Sequence, residues 1–257
     1  MSETPESDAL VLMTIDGQVA TVSLNRPQRH NCLVPKMLQQ LTGVFSEIKA
    51  HDDLKVVVLR AIGDSFSTGG DLRAFWRNRD DLAVFANALV GDLNDAIVSI
   101  IECDLPVVGA VNGQVTGGAL GLVLACDFTV VTERASFTPY YVDVGLGPDG
   151  GWTAILPHII GRGRASSVQL MNDTITAEQA IEWGIAYQMT PVDQLDQLLG
   201  EICARIISKK SGSVRLTKSL LRGGGYRERL NNERRAFVKK IVSQEALLGI
   251  EEFVGQR

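Results

Sequence analysis

The sequence contains few of the residues that bind metals or form disulfides. Its 257 residues include only three histidines and four cysteines. His30, His51 and His158 do not have the spacing of metal ligands, and the cysteines at positions 32, 103, 126 and 203 form no closely spaced pair. We therefore expect no metal site and no disulfide framework, and we interpret the cysteines as reduced, mostly buried thiols.

A large basic cluster and a long apolar run are also lacking. The formal net charge is −5 and the isoelectric point is near 5.3, which argues against a nucleic-acid-binding surface. Asp, Glu or Asn interrupts each apolar run before it reaches the roughly 18 residues of a membrane span. Residues 1–8 are acidic and have neither the basic nor the apolar region of a signal peptide. We therefore expect a cytoplasmic protein without a nucleic-acid or membrane partner.

What is present predicts a globular α/β fold. The 45% of apolar residues can fill a core, and β-branched residues around Asp16-Gly17 predict a hairpin over residues 9–25. Short all-apolar runs, typical of strands buried on both faces, twice precede a glycine-rich loop and a helix. The predicted order is helix 34–50, strand 56–60, loop 62–72, helix 79–102, strand 106–111, loop 112–118, helix 119–126 and strand 128–132.

Residues after 163 carry the apolar spacing of helices. The predicted helices are 165–171, 176–183, 192–207, 211–221 and 228–249, and Thr176 is suited to cap the second of them. We divide the chain into a core of residues 1–195 and a C-terminal helical region of residues 196–257. The apolar faces of that region are expected to pack on the core or on a neighbouring subunit.

One acidic residue, Asp149, lies between a proline and two glycines in an apolar stretch. Pro-Asp-Gly is typical of a turn, because proline presets φ, aspartate bonds to nearby backbone and glycine accepts positive φ. Apolar neighbours such as Val144, Leu146 and Trp152 would also raise the pKa of this carboxyl toward that of an acid–base catalyst. From this segment alone, both a turn and a catalytic role remain open.

The two glycine loops follow buried strands, at the edge where open α/β sheets build their sites. Neither loop has the G-x-x-x-x-G-K-S/T or G-x-G-x-x-G pattern of a nucleotide phosphate site. Glycine also suits an oxyanion hole, in which two backbone N–H groups bind a substrate carbonyl that a Cβ would obstruct.

Six segments together resemble a known family. They are Leu-Asn-Arg-Pro at 24–27, Phe-Ser-Thr-Gly-Gly-Asp-Leu at 66–72, Pro-Val-Val-Gly-Ala-Val-Asn-Gly at 106–113, Gly-Gly-Ala-Leu-Gly at 117–121, Leu-Ala-Cys-Asp at 124–127 and Gly-Leu-Gly-Pro-Asp-Gly-Gly at 145–151. In this order and spacing, from about residue 10 to the C-terminus, the chain resembles the crotonase (enoyl-CoA hydratase/isomerase) superfamily.

The resemblance implies a crotonase-like ββα spiral and an acyl-CoA thioester substrate. Coenzyme A is then part of the substrate, no separate cofactor is expected, and the assembly is a homotrimer or a hexamer. Matching positions put the family's oxyanion hole on the backbone N–H groups of Gly70 and Gly118, the second at the start of a helix whose dipole favours an enolate oxygen. The residues expected to bind substrate are Arg26, with Arg29 close by near the CoA phosphates, Thr68, Tyr140, Tyr141 and Trp152.

At its acids the chain departs from the hydratase pattern. The two hydratase glutamates match Gly121 and either Tyr140 or Tyr141, so both are absent. Some isomerases of the superfamily carry an aspartate that matches Asp149, and dehalogenases have a nucleophilic aspartate nearby with a helical histidine that residues 79–102 lack. We therefore predict an enoyl-CoA isomerase with one aspartate as proton shuttle. The alternatives are a hydratase or hydrolase with a rearranged acid, and a non-catalytic pseudo-enzyme that binds CoA esters.

Four further acids are interpreted without a catalytic role. We expect turn or capping roles for Asp71 and Asp127, an outward direction for Asp143 and a solvated position for Glu133.

Overall fold

The structure is a computed structural model that describes residues 9–255. The acidic stretch 1–8, in which we expect no signal peptide, lies outside the described residues. The strands are β1 Val11–Asp16, β2 Val19–Leu24, β3 Val56–Ala61, β4 Ser65–Ser67, β5 Val107–Val111, β6 Gln114–Thr116, β7 Phe128–Thr132, β8 Ser136–Thr138, β9 Ile175–Thr176 and β10 Gln188–Thr190. The α-helices are α1 Pro35–Ile48, α2 Leu72–Arg77, α3 Leu82–Ile101, α4 Leu120–Leu124, α5 Leu156–Ile160, α6 Arg162–Met171, α7 Ala177–Glu182, α8 Leu195–Ile207, α9 Ser211–Leu221, α10 Tyr226–Ile241 and α11 Gln244–Gly255.

The main sheet has the strand order β1-β2-β3-β5-β7-β10. The predicted hairpin is confirmed, since β1 and β2 pair antiparallel around Gly17, which has a φ of 54°. All the other pairs in this sheet are parallel. The central strands β3 and β5 are largely apolar and buried on both faces, because one face belongs to the core that includes α1 and α3 and the other packs against α8.

A second sheet includes two strands, β4 and β6, that lie within the predicted loops 62–72 and 112–118. Its order is β4-β6-β8-β9, and β4, β6 and β8 run parallel. Each of these three-residue strands follows a strand of the main sheet after a few residues, namely β3, β5 and β7. Two such strand pairs lead into a helix, so that ββα units succeed one another along the chain. The predicted α/β class is therefore confirmed. The structure adds a second sheet, whose strands β4 and β6 precede the glycines of the two loops.

Helix α3 is the central helix of the core. More than half of its residues are buried, and it packs between α1 and α10. Together with the 3₁₀ turn before it, α3 forms the 23-residue segment Arg79–Ile101, which has the length of a membrane span and contains an 18-residue window with a mean hydropathy of 1.5. Asn87, Asp92, Asn94 and Asp95 interrupt this segment, as predicted, so the helix reaches that length although no uninterrupted apolar run does. Its apolar surface is explained by its place inside the protein.

The C-terminal helices differ from the prediction at one point. The predicted N-cap at Thr176 is confirmed, and the structure adds Gln179 as its partner in a capping box. The single helix expected over 228–249 is instead divided, because α10 ends at Ile241 and the Ser243 hydroxyl accepts a hydrogen bond from the Ala246 N–H at 3.3 Å. The break lets α11 fold back toward α2, and both α10 and α11 contribute to the main core.

Candidate active site

A cavity of about 510 Å³ opens between the two glycine loops and the C-terminal helices. Five predicted site residues line it together with Asp149, and they are Thr68, Gly70, Gly118, Tyr140 and Tyr141. The side walls are apolar and come from α3, α10 and α11. The structure therefore brings most of the predicted site residues to one place. Within residues 9–255, no three His, Cys, Asp or Glu side chains form a group that could hold a metal ion.

The loops after β4 and β6 meet directly at the base of the cavity. A Cβ built on Gly69 would lie 2.6 Å from the Thr116 carbonyl oxygen, so only glycine allows this approach. Gly70 follows Gly69, and Gly118 lies two residues after Thr116, so the contact puts both glycines on the same cavity. Within residues 9–255, the backbone N–H groups of these two glycines donate to no other protein group. They are therefore available to an acceptor in the cavity.

Gly118 is confined on its side-chain face. A Cβ there would lie 2.6 Å from Leu93 Cδ2 and 2.8 Å from Asp149 Oδ1. The helix that follows is shorter than predicted, because a 3₁₀ turn over Gly117–Ala119 precedes the five residues of α4. The field of such a short helix is correspondingly small.

Asp149 is a buried carboxylate at the cavity wall, with 7% of its surface exposed. The Tyr141 hydroxyl donates a hydrogen bond to its Oδ1 at 2.5 Å. Burial raises the pKa of Asp149 to about 7, although the Tyr141 hydrogen bond opposes that rise and the charge of Glu233 adds to it. The carboxyl can therefore both accept and release a proton near neutral pH.

The turn that carries Asp149 depends on its glycines. Gly150 and Gly151 have positive φ values of 59° and 89°, and a Cβ on Gly150 would lie 2.3 Å from the Gly118 carbonyl oxygen. The turn interpretation and the candidate catalytic role thus describe one feature, since the turn directs the carboxylate toward Gly118. Gly121 packs against the same turn, because a Cβ there would lie 2.4 Å from the Gly150 carbonyl oxygen. An acidic side chain at that position has no room.

The two tyrosines at the second glutamate position differ in their surroundings. Tyr141 is buried and contacts Asp149, whereas Tyr140 is 49% exposed at the cavity mouth with a φ of 61°. The Tyr140 N–H donates to Asn172 Oδ1 at 2.7 Å, which holds this unusual backbone conformation in place. Burial, and then the neighbouring Asp149 carboxylate, raise the pKa of Tyr141 well above its usual value. Its hydroxyl therefore stays protonated as a donor.

Glu233 is a site residue that we did not predict. It lies on α10, is 5% exposed, and its carboxylate accepts hydrogen bonds from the Gly151, Thr153 and Ala154 N–H groups and from the Thr153 hydroxyl. Burial raises its pKa, and these hydrogen bonds oppose that rise. The helical spacing in the sequence could have indicated that Glu233 is buried, because Glu233 lies on the same face of α10 as Leu230 and Phe237.

The structure corrects the prediction that Arg26 binds substrate. Arg26 is 5% exposed and does not line the cavity. Its guanidinium lies 3.3 Å from Asp71 Oδ2 and donates to the Cys32 carbonyl oxygen and sulfur. The reason is electrostatic, since a buried arginine is drawn to a carboxylate that can pair with it. Arg29 remains at the cavity, 3.5 Å from the same Asp71 oxygen.

The capping role of Asp71 is confirmed. Its Oδ1 accepts hydrogen bonds from the Arg73 and Ala74 N–H groups at the start of α2. Burial alone would raise the pKa of Asp71, but Arg26 and Arg29 outweigh it and hold that pKa below its usual value. Asp71 is therefore ionised, and its carboxylate links the loop of Gly70 to both arginines.

Trp152 is a second correction. It is fully buried and does not line the cavity, and its indole N–H donates to the Gly117 carbonyl oxygen at 2.7 Å. Trp152 consequently supports the second glycine loop from behind and does not face the substrate space. Its large ring is excluded from the cavity because the turn at Gly150 and Gly151 directs it into the core.

Three other acids agree with their predicted structural roles. Asp127 accepts a hydrogen bond from the Val107 N–H and pairs with the buried Lys218, which joins α9 to the sheet. Asp143 and Glu133 are exposed. All four cysteines are free, and Cys32, Cys103 and Cys203 are buried as expected.

Comparisons with known proteins agree with this architecture. The family model described as enoyl-CoA hydratase/isomerase matches residues 14–257. A trans-2-decenoyl-(acyl-carrier-protein) isomerase of Streptococcus mutans is 29% identical over 211 residues, which are 82% of this chain and 79% of that protein. A crotonyl-CoA hydratase of Syntrophomonas wolfei is 27% identical over 252 residues, covering 96% of this chain and 95% of that protein.

A solved structure gives the same result for the fold. An enoyl-CoA hydratase from Bacillus halodurans, 22% identical, superposes with a TM-score of 0.89 over 95% of this chain and all of that chain. The predicted crotonase-like fold is thus confirmed. With a family model that covers nearly the whole chain, this protein belongs to the enoyl-CoA hydratase/isomerase family of the crotonase superfamily.

Proposed function

We propose that this chain is an enoyl-CoA isomerase in which Asp149 is the single acid–base group. The observation that carries the proposal is one buried carboxylate beside Gly118, in a site that lacks both glutamates of the hydratase pattern. One carboxylate suffices for moving a double bond, because the proton that it removes is the proton that it returns.

The proposed reaction converts a 3-enoyl-CoA into a 2-enoyl-CoA. Asp149 removes a proton from the α-carbon, and the electrons of that C–H bond move into the thioester to give a dienolate. The N–H groups of Gly70 and Gly118 donate to the thioester oxygen while it carries this negative charge. Protonated Asp149 then returns the proton to the γ-carbon, which leaves the double bond between the α- and β-carbons and the carboxylate ready for the next turnover.

Two features favour this reaction over hydration. The group at the second glutamate position, Tyr141, has a raised pKa and is a hydrogen-bond donor rather than a base. Glu233, the other buried acid nearby, accepts four hydrogen bonds from protein groups and is not free to activate a water. Hydration by two acids placed on either side of a water therefore has no second acid here.

A substrate panel tests the proposal against its alternatives. The protein is incubated with 3-enoyl-CoA and 2-enoyl-CoA thioesters of several chain lengths and with cyclic acyl groups, and the products are separated by chromatography. An isomerase gives a shifted double bond, and a hydratase gives a 3-hydroxyacyl product. Binding of every thioester without turnover would identify a pseudo-enzyme and reject the proposal.

Replacing Tyr141 with phenylalanine is expected to move the acid limb of the pH profile of kcat/KM to higher pH. The Tyr141 hydrogen bond lowers the pKa of Asp149, so its removal raises that pKa and the ionised base forms only at higher pH. The profile is measured with a 3-enoyl-CoA from about pH 5 to 9. Tyr187→Phe, at an exposed tyrosine, is the control and leaves the limb unchanged. An unchanged acid limb in Tyr141→Phe would show that the Tyr141 hydrogen bond does not lower the pKa of Asp149.

The CoA part of the substrate is expected at the mouth of the cavity, where Arg29 and Arg73 replace the corrected Arg26 as candidate phosphate contacts. Affinity for CoA esters should fall as the salt concentration rises, because salt screens such exposed charge pairs. Arg73→Gln should weaken binding and flatten the salt dependence, as measured by calorimetric titration. Arg205→Gln, on the exposed side of α8, serves as the matched control. Equal salt dependence in both variants would count against these contacts.

The proposal includes the expected setting of the enzyme. It acts in the cytoplasm as a homotrimer or hexamer, uses no cofactor beyond the coenzyme A of its substrate, and has no nucleic-acid or membrane partner. Sedimentation of the purified protein measures the assembly directly, and a monomer would contradict this part of the proposal.

A further inference from the structure

Glu233 reaches the active-site turn from a distant part of the chain. The Gly151 N–H donates to its Oε2 at 2.8 Å, and the Thr153 N–H, the Thr153 hydroxyl and the Ala154 N–H donate to its Oε1 at 2.6, 2.6 and 2.8 Å. These donors begin two residues after Asp149. One carboxylate thus satisfies the donors of the segment that leaves the catalytic turn.

The helix that carries Glu233 also forms part of the cavity. Phe237, one helical turn later, lines the cavity, and its Cα lies 3.7 Å from the position of a Cβ on Gly147. α11 reinforces the contact, because a Cβ on Gly249 would lie 2.2 Å from the Val144 carbonyl oxygen. The two C-terminal helices therefore hold the Asp149 segment from both ends.

Glu233 carries its charge into the core without a cationic partner. Among residues 9–255, no lysine, arginine or histidine forms an ion pair with it. A buried carboxylate is costly, and a buried charge is weak support for stability by itself. Its four donors all belong to the segment after Asp149, so the contact fixes that segment more than it strengthens the core.

We propose that Glu233 is a positioning residue, which clamps the turn of Asp149 and fixes that carboxylate against Gly118 and the cavity. The inference deepens the proposed function and rests on it for the role of Asp149. Glu233 acts through the backbone and does not contact the substrate space, since it does not line the cavity.

The charge of Glu233 has a second effect. It adds to the rise that burial gives the pKa of Asp149, whereas the Tyr141 hydroxyl opposes that rise. The other charged or titratable groups on the same cavity are Arg29, His30, Cys32, Asp71, Arg73 and Tyr140. Removing the charge of Glu233 should therefore lower the pKa of Asp149 and move the acid limb of kcat/KM to lower pH.

The test compares Glu233→Gln with Glu228→Gln, the same change at an exposed position of α10. In glutamine an NH₂ donor replaces one of the two carboxylate oxygens of Glu233. That NH₂ group would therefore face a backbone N–H that donates to Glu233 in the unaltered protein. For Glu233→Gln we expect kcat to fall by about 100-fold through misplacement of the catalytic group, with KM nearly unchanged and the acid limb at lower pH. Hydrogen exchange of the peptide spanning residues 149–155, followed by mass spectrometry, should be faster. Glu228→Gln should match the unaltered protein in every readout.

Two variants keep the outcome decisive. If Glu233→Gln folds poorly, Glu233→Asp retains the charge on a shorter side chain, and it should give faster exchange and lower kcat with a smaller movement of the acid limb. Unchanged exchange at residues 149–155 in a folded Glu233 variant would overturn the clamp. The proposed function is judged separately, because activity retained by Asp149→Asn would reject it while the exchange result still decides the clamp.

Discussion

Asp149→Asn is expected to lower kcat for 3-enoyl-CoA isomerisation by about 1,000-fold, with KM changed by less than about threefold. Asparagine fits the same turn and can still accept the Tyr141 hydrogen bond, so substrate binding persists. It cannot take a proton from the α-carbon, however, and Glu233, the other buried acid near the turn among residues 9–255, is held by protein donors. The measurement is a steady-state assay of double-bond movement. Retention of full activity would reject Asp149 as the base.

Stability separates this loss of activity from unfolding. Burial raises the pKa of Asp149 from 3.8 to about 7 in the folded protein. The folded state thus binds more protons than the unfolded state between these values, and the protein loses stability as the pH rises from about 4 to about 7. Asparagine does not ionise, so Asp149→Asn should lack this loss and should melt at an equal or higher temperature above pH 7. Thermal melts across this pH range measure the difference.

Gly118→Ala is expected to lower kcat by about 100-fold. The new methyl group would lie 2.6 Å from Leu93 Cδ2 and 2.8 Å from Asp149 Oδ1, so the carboxylate or the N–H of residue 118 must move. Displacing a donor from the developing oxyanion typically costs about 100- to 1,000-fold in kcat. The same steady-state assay measures the effect, together with a melt that shows the variant to be folded.

The control for this prediction is Gly43→Ala. Gly43 lies in α1 with no atom within 4 Å of its Cβ position, so alanine should leave kcat unchanged and stabilise the helix by about 1 kcal/mol. If Gly118→Ala behaved like Gly43→Ala, Gly118 would not form part of an oxyanion hole.

Local patterns in the sequence were sufficient for much of the fold. The hairpin around Gly17, the buried strand β3 and the N-cap at Thr176 each arise from neighbouring residues, and each was predicted. The short strands β4, β6 and β8 were not predicted. Three residues cannot display a strand period, and these strands exist because the glycine loops lie side by side in the folded chain.

Some residues of the candidate site could likewise be predicted from the sequence, and others could not. Asp149, Gly70 and Gly118 could be predicted because they lie in glycine-rich segments and match functional positions of the family that the sequence resembles. Arg26 was assigned to the wrong role and Glu233 was missed, since the partners of both lie far along the chain. Arg26 meets Asp71 and Glu233 meets Gly151, across separations that no local period encodes. The family resemblance made Arg26 a candidate phosphate contact, whereas in the structure Arg26 is buried and pairs with Asp71.

The most direct test of the central claim follows the transferred hydrogen. A 3-enoyl-CoA carrying deuterium at the α-carbon is converted by the unaltered protein and by Asp149→Asn, and the product is analysed by NMR. One carboxylate that takes and returns the same hydrogen predicts 2-enoyl-CoA with deuterium at the γ-carbon from the unaltered protein, and about 1,000-fold slower product formation by the variant. A 3-hydroxyacyl-CoA as the main product, or equal rates for the two proteins, would contradict the account.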